Sequence, residues 1–133
     1  MAISLSDYRV RLLRLHSQRL TSEQQAKKSD VTSIVKELCG IQAQDTLAAR
    51  LAVRVRSAGL LATDVEHARV QERTIIRTWM QRGTLHLVAT EDLGWLLPLF
   101  GPVFIAANQR RRTELGLDED SCATVSYTHL RAH

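Results

Sequence analysis

Two glutamines, Gln42 and Gln44, stand either side of one alanine in the stretch CGIQAQDT. Each carboxamide has an oxygen that accepts hydrogen bonds and an NH₂ group that donates them, so a pair facing one pocket can orient a water molecule and hold a sugar or base. In an α-helix, where each step turns the chain by about 100°, residues two apart point to nearly opposite sides. In an extended segment they share a side. Gly40 predicts that the preceding helix ends here in a left-handed conformation, so we expect both amides on one side.

A purely structural role for the two amides is the alternative. They would then bind backbone groups where two helices join. Asp45 follows directly and is well placed to cap the next helix, although it could also support a site. His86, in the stretch RGTLHLV, is a further candidate for site support, but a single histidine in a strand is also commonly structural.

Arginines form a second set of candidates, because contacts with DNA phosphates need positive charge and no fixed base geometry. Arg11 and Arg14 share one face of the predicted first helix, and Arg50 and Arg54 share a face of the third. Arg82 lies at the predicted tip of a hairpin, within reach of a groove or a phosphate. The alternative is a solvated surface rich in arginine.

The composition is that of one modest globular domain with a hydrophobic core. The 133 residues are 44% apolar and 24% charged, with a formal charge of +4 from 18 basic and 14 acidic residues. This excess permits a polyanionic partner without requiring one. Cys39 and Cys122 form no CxxC pair and the histidines show no ligand spacing, so we expect no zinc, no disulfide framework and no cofactor. Charges throughout the first 20 residues argue against a signal peptide or a membrane span, and we expect a cytoplasmic protein.

The hydrophobic pattern predicts four helices before a hairpin. They are expected from Ser6 or Ser4 to about Leu20, from Asp30 or Ser29 through Leu38, from about Asp45 to Ser57, and, capped by Thr63, over DVEHARV, with TSEQQAKKSD as a polar connection. The runs RTIIRTWM and GTLHLVA, separated by Gln81-Arg82-Gly83, predict the hairpin.

Two further helices are expected after the hairpin. The first begins at Thr90, Pro98 and Pro102 interrupt the region that follows, and the last carries FIAANQRRRTEL. Trp79 and Trp95 lie within apolar runs and are expected in the core. The order of elements predicts a mainly α-helical winged helix-turn-helix with a β-hairpin wing.

The stretches LCGIQAQD, RTWMQRGTLHLV and EDLGWLLPL together resemble, in order and spacing, the winged-helix DNA-binding family that includes the AlkZ-type DNA glycosylases. The resemblance covers the chain from about Leu12 to Leu117. It implies tandem winged helices with a concave, basic surface for double-stranded DNA. It also implies hydrolysis of the N-glycosidic bond of N7-alkylated purines, a DNA repair reaction that extends to unhooking of crosslinks.

The family's catalytic motif is a glutamine, a hydrophobic residue and a second glutamine, with a related branch that has aspartate in the last place. Gln42, Ala43 and Gln44 match the first form. We interpret Gln44 as the residue that positions the hydrolytic water and Gln42 as its support or a contact to the sugar. The protein is expected to act as a monomer without a metal.

Three parts are expected along the chain: a winged-helix domain at 1–90, helices at 91–117 that lead into a following domain, and a tail at 118–133. Within the tail, VSYTHLRAH (125–133) does not continue the family pattern and resembles translated adapter sequence, so we expect it not to be native. The chain would then be the N-terminal part of a glycosylase, and by itself it is expected to bind DNA weakly and to be inactive or a poor catalyst. The alternatives are a non-enzymatic winged-helix module that binds DNA, or one that binds protein.

Overall fold

The computed structural model describes residues 4–27, 29–118 and 120–124, so the predicted non-native segment 125–133 lies outside it. The chain divides into two compact units, residues 1–96 and 97–133. Its helices are α1 (Asp7–Ser17), α2 (Ser22–Ala26), α3 (Val31–Glu37), α4 (Thr46–Arg54), α5 (Ala62–Glu66), α6 (Leu93–Ala107) and α7 (Gln109–Glu114), and its strands are β1 (Ile41–Gln42), β2 (Ile75–Met80) and β3 (Thr84–Ala89). A π-helical turn (His67–Gln71) extends α5, 3₁₀ turns lie at Gln81–Gly83 and Thr90–Asp92, and residues 120–124 are helical.

The sheet is a three-stranded antiparallel one in the order β1-β3-β2. Its β2–β3 hairpin turns at Gln81–Gly83, where Arg82 and Gly83 both have positive φ, and this confirms the predicted wing. Strand β1 was not predicted, because two residues are too short to leave an alternating pattern. Helices followed by this hairpin confirm the mainly α-helical winged helix-turn-helix class.

Side-chain caps begin three of the helices where the sequence predicts them. Ser6 Oγ accepts a hydrogen bond from the Arg9 N–H at 3.4 Å, Asp30 from Ser33 at 2.7 Å, and Asp45 from Ala48 at 2.9 Å. Each cap satisfies a backbone donor that has no partner within the helix. The Asp45 cap matters most here, because it starts α4 one residue after the glutamine pair.

The core of the first unit packs α3, α4 and α5 against one face of the sheet. The predicted stripe on the second helix is confirmed, since Val31, Ile34 and Val35 are all buried. The buried cluster comprises these three residues with Ile41, Ala43, Ala49, Val53, Val65, Ala68, Ile75 and Leu87. Ile41 and Ala43 therefore fasten the strand that carries the glutamines to the core.

Some helix boundaries differ from the predictions in the first unit. The polar connection contains α2, and α1 ends at Ser17 instead of near Leu20. Thr63 lies inside α5, whose first turn is capped through the Asp64 carboxylate, which accepts the Leu61 N–H at 2.7 Å. These short turns depend on single capping contacts, which hydrophobic periodicity does not report.

The predicted interruption at Pro98 and Pro102 is wrong, because α6 continues through both prolines to Ala107. Each proline removes only one backbone hydrogen bond, and the other residues of the 15-residue helix keep theirs.

The prediction that the two tryptophans lie in the core is also wrong: Trp79 and Trp95 are 55% and 48% exposed. The Trp95 indole N–H donates to Asp92 Oδ1 at 3.0 Å, a surface contact within one helical turn. Among the described residues, no helix is long and apolar enough to cross a membrane.

The turn between α3 and β1 is a Schellman motif whose left-handed residue is Cys39, with φ of 54°, and not Gly40 as predicted. The Cys39 N–H donates to Lys36 O at 2.9 Å and the Gly40 N–H to Val35 O at 3.0 Å. Gly40 also has positive φ, 113°, and a Cβ there would lie 3.3 Å from Val88 Cγ1 and 3.4 Å from Met80 Cε.

Gly40→Ala is therefore expected to lower the free energy of unfolding by about 1–3 kcal/mol, because it adds backbone strain and crowds buried side chains. Urea denaturation followed by circular dichroism measures the change. Gly94→Ala is the control, because Gly94 has open space around its Cβ position and a helical backbone, and it should be neutral or stabilising by up to about 1 kcal/mol. Equal effects of the two substitutions would contradict the assignment of strain to Gly40.

Candidate functional site

Gln42 and Gln44 lie on the exposed side of an extended segment at the edge of the sheet. Burial alternates along it, with Ile41 and Ala43 buried and both glutamines exposed. The segment pairs with β3, where Gln42 stands opposite His86 and the Ala43 N–H donates to Leu85 O at 2.7 Å. The two amides thus share a side, as the extended interpretation of the sequence expects.

The side chain of Gln44 is held in place, whereas that of Gln42 is not. Gln44 Oε1 accepts the backbone N–H of Leu85 at 3.1 Å. A backbone N–H only donates, so the atom that faces it must be the amide oxygen, and the NH₂ group of Gln44 points elsewhere. Among the described residues, the amide of Gln42 has no hydrogen-bond partner. The site therefore presents one fixed NH₂ donor beside one complete, unpaired carboxamide.

The side chain of Arg77 holds the same segment through hydrogen bonds to the segment's backbone. Arg77 was not among the residues predicted from the sequence. Its Nε donates to Ala43 O at 2.9 Å and its Nη2 to Gln44 O at 3.1 Å. A signal for it was present in the sequence. Arg77 is two residues from the buried Ile75, on the inward side of an apolar strand, and a charged residue at such a position usually has a specific partner.

The two candidates for site support lie next to the glutamines. His86 is only 6% exposed, and its Nδ1 lies 3.0 Å from Thr84 O. Since it stands opposite Gln42 on neighbouring strands, the two Cβ atoms are about 5 Å apart. Asp45 directs its carboxylate to the start of α4. His86 thus lies beside Gln42 on the same face of the sheet, and Asp45 begins the helix that follows the pair.

Arg50 turns inward to an ion pair instead of presenting a free guanidinium. Its Nη2 lies 2.6 Å from Glu66 Oε1, and Arg69 Nη2 lies 2.7 Å from Glu66 Oε2. The hydrogen bond from Arg69, together with that from Arg50, lowers the pKa of Glu66, so this carboxylate stays charged. These three residues and Arg77 line one small cleft. Sequence spacing could not show this, because Glu66 is 16 residues from Arg50.

The other predicted DNA contacts remain available on the surface. Arg11, Arg14, Arg54 and Arg82 are all exposed, and their side chains form no ion pair with any residue in the described part of the chain. Arg82 occupies the tip of the wing and Arg54 the last position of α4, while Arg11 and Arg14 belong to α1. The structure thus brings together Gln42, Gln44, Asp45 and His86, whereas the arginines are carried by separate elements. In the residues described, no group of His, Cys, Asp and Glu is arranged to hold a metal ion.

Two known proteins are similar to this chain. The interstrand DNA cross-link repair glycosylase of Streptomyces sahachiroi is 39% identical over 88 residues, which are 65% of this chain and 22% of that protein. The solved structure of Streptomyces sahachiroi DNA glycosylase AlkZ matches 95% of this chain and 33% of its own, with a TM-score of 0.78 and 25% identity. This chain therefore spans only a fifth to a third of the length of these relatives.

The family comparison covers the glutamine pair, Arg77 and the wing together. A family profile described as DNA glycosylase AlkZ-like matches residues 35–133, which is well over half of the chain. The matched range begins inside α3 and includes the whole sheet. The chain belongs to the AlkZ-like DNA glycosylase family.

Proposed function

We propose that the protein is a DNA repair glycosylase that hydrolyses the N-glycosidic bond of N7-alkylated purines in double-stranded DNA, with Gln42 and Gln44 as its catalytic pair. The observation that carries the proposal is the exposed edge segment on which the Gln44 amide is held by Leu85 while the Gln42 amide is left for a ligand. Family membership and the names of the relatives, which are repair glycosylases, support it. DNA crosslinks bonded through the same purine position are candidate substrates.

Neutral amides suit a leaving base that already carries positive charge. In hydrolysis, the oxygen of water bonds to the sugar carbon C1′ as the bond from C1′ to N9 breaks. The bonding electron pair goes to N9, which neutralises the alkylated purine, and the water releases its second proton to solvent. The enzyme then has mainly to place the water and favour the cationic sugar over the ground state. A carboxamide does this without the desolvation cost of a buried carboxylate.

The hydrogen bonds favour the reverse of the roles expected from the sequence. A water that attacks C1′ needs an acceptor for one of its protons, and Gln42 Oε1 is the amide oxygen not already used. Gln44 Oε1 is bonded to Leu85, so Gln44 contributes its NH₂ group as a donor to the water or the sugar. We therefore assign Gln42 to the water and Gln44 to donation beside it. His86 supports Gln42 from the neighbouring strand, on the same face of the sheet.

Release of N7-methylguanine from duplex DNA tests the proposal. The protein is used in excess, at concentrations that saturate binding, so that weak affinity does not hide the chemical step. Formation of free base and an abasic site in equal amounts is the expected result. Binding of duplex without base release would instead favour a non-enzymatic winged-helix module, and no binding even at low salt would favour a protein-interaction domain.

We propose that the protein acts as a monomer in the cytoplasm, where it meets the chromosome.

Arg54 and Arg82 are proposed as phosphate contacts, with Arg11 and Arg14 beside them. Replacing Arg54 or Arg82 by glutamine should weaken duplex binding and reduce the slope of log K against log salt by about 1 for each contact removed. Fluorescence anisotropy at several salt concentrations measures both quantities. Arg50→Gln is the matched control, because its charge is already paired with Glu66, and it should leave the slope unchanged. If Arg50→Gln is the only substitution that changes the slope, the phosphate contact belongs to Arg50 and not to Arg54 or Arg82.

A further inference from the structure

Arg77 connects the far edge of the sheet to the segment that carries the glutamines. It lies on β2, opposite Leu87 of the central strand, and Leu87 lies opposite Ile41 of β1. Residues that face one another across antiparallel strands share a face of the sheet, so the Arg77 side chain extends over β3 toward β1. Its guanidinium ends at two successive carbonyls, Ala43 O at 2.9 Å and Gln44 O at 3.1 Å.

The segment needs this support because strand pairing stops there. β1 is only two residues long, and the last backbone bond of the ladder is the one from the Ala43 N–H to Leu85 O. Beyond it, the carbonyl of Gln44 accepts a hydrogen bond from Arg77. The Leu85 N–H, which would pair with a backbone carbonyl of a longer β1 strand, donates instead to the side chain of Gln44. Leu85 thus holds Gln44 from one side and Arg77 holds it from the other.

Charge pairing does not explain the position of Arg77. Glu66 lines the same cleft, but Arg50 and Arg69 occupy both of its carboxylate oxygens. Among the described residues, Arg77 has no acidic partner, and its two hydrogen bonds go to carbonyl oxygens. A planar guanidinium with donors in a fixed fork suits two acceptors at a set spacing, which a flexible ammonium group does not match.

We propose that Arg77 is a positioning residue for the glutamine pair: by fixing the carbonyls of Ala43 and Gln44, it sets the direction in which the Gln44 amide points. This inference rests on the proposed function, because it assigns Arg77 to the same site. Arg77 touches neither water nor sugar in this role. It acts through the geometry of Gln44.

The first test follows Gln44 directly by NMR on the ¹⁵N-labelled 133-residue chain. Arg77→Met keeps an unbranched stem that reaches as far as the arginine Nε position and removes both donors. We expect the Leu85 amide to exchange with solvent about ten times faster or more, as its bond to Gln44 opens more often. The Gln44 NH₂ signals should move toward those of a freely rotating amide. The Leu87 amide, in the middle of the sheet, should keep its exchange rate.

Two companion variants separate positioning from a general effect. Arg77→Lys retains a donor for one carbonyl and should fall between the wild type and Arg77→Met. Arg73→Met removes an exposed arginine just before β2 and should change neither signal. If Arg77→Met leaves the Leu85 exchange rate and the Gln44 signals at wild-type values, the inference is overturned.

The second test measures base release at saturating protein, well below the unfolding temperature. Arg77→Met should slow the single-turnover rate about tenfold or more with an unchanged Kd for duplex, since misplaced groups lose rate before affinity. Combining it with Gln44→Ala should slow the reaction no further than Gln44→Ala alone. If Gln44→Ala abolishes release and Arg77→Met does not slow it, the inference fails while the proposed function stands. If Gln44→Ala leaves release intact, the proposed function fails, and the NMR result still decides what Arg77 holds.

Discussion

Gln42→Ala is expected to slow base release from alkylated duplex DNA by at least about 100-fold, the typical loss when a group that handles the attacking water is removed. Gln42 has the one amide oxygen of the pair not already bonded within the described chain, and Gln44 Oε1 cannot replace it as the water acceptor while it is bonded to Leu85. The affinity for duplex should stay within about twofold, because phosphate contacts dominate it. Single-turnover release and fluorescence anisotropy, measured on one protein preparation, give the two quantities.

Gln44→Ala should slow release to a similar degree, but it also removes the partner of the Leu85 N–H. That contact is at the surface, so water replaces it in part, and the loss of stability should be about 1 kcal/mol. Gln42→Ala should leave stability within about 0.5 kcal/mol of wild type, as expected for an exposed side chain without partners. This difference between two neighbouring glutamines is specific to the geometry.

Gln71→Ala is the matched control for both variants, since Gln71 is another exposed glutamine of the first unit and lies outside the site. It should change neither base release nor binding. If Gln42→Ala and Gln44→Ala reduce binding and release by the same factor, the pair is structural and the non-enzymatic alternative gains. If Gln44→Ala alone stops release, the water-positioning role returns to Gln44, as the sequence analysis assigned it.

The sequence predicted those parts of the fold in which local and tertiary requirements agree. Val31, Ile34 and Val35 follow a helical spacing and are buried together, and Asp30 caps the helix that presents them. The hairpin was predictable because two β-branched runs flank a turn with Gly83 at positive φ. In each case the sequence pattern and the helix or hairpin that it predicts lie within one short stretch of the chain.

The site was only partly predictable, for a physical reason. Its most informative property, that both glutamines face one side, follows from extended geometry and could be expected from the glycine before them. The hydrogen bonds that fix Gln44 come from Leu85 and Arg77, 41 and 33 residues away, and depend on strand register. Arg50 shows the converse: its helical face suggested a DNA contact, but Glu66 pairs with it across the fold.

Arg19 illustrates a stabilising contact that sequence patterns do not show. It is 2% exposed and follows α1 in a left-handed conformation, with φ of 55°. Its guanidinium forms an ion pair with Glu37 of α3 and donates to Gln24 O of α2 at 3.2 Å and to Ser29 Oγ at 2.9 Å. One side chain therefore joins the first three helices, including α3, whose end leads directly into the glutamine segment.

Arg19→Ala is expected to lower the free energy of unfolding by about 3 kcal/mol, because the buried guanidinium loses its contacts with Glu37, Gln24 O and Ser29 Oγ, each worth about 1 kcal/mol. Against a total stability of about 5–15 kcal/mol for a domain, this is a large share. The unfolding midpoint should fall by more than about 10 °C in a thermal scan. Arg9→Ala, which replaces an exposed arginine of α1, is the control and should stay within about 0.5 kcal/mol of wild type.

Arg19→Gly separates the contacts from the backbone, because glycine also loses the ion pair but adopts the left-handed conformation without strain. It should be less destabilising than Arg19→Ala by about 1 kcal/mol, the usual cost of that conformation for a residue with a Cβ. Urea titrations of the two variants give the difference directly. If alanine and glycine are equally destabilising, the left-handed turn contributes nothing at this position. If neither substitution destabilises the protein, the guanidinium does not hold the three helices together, and the support of α3 must come from its apolar face alone.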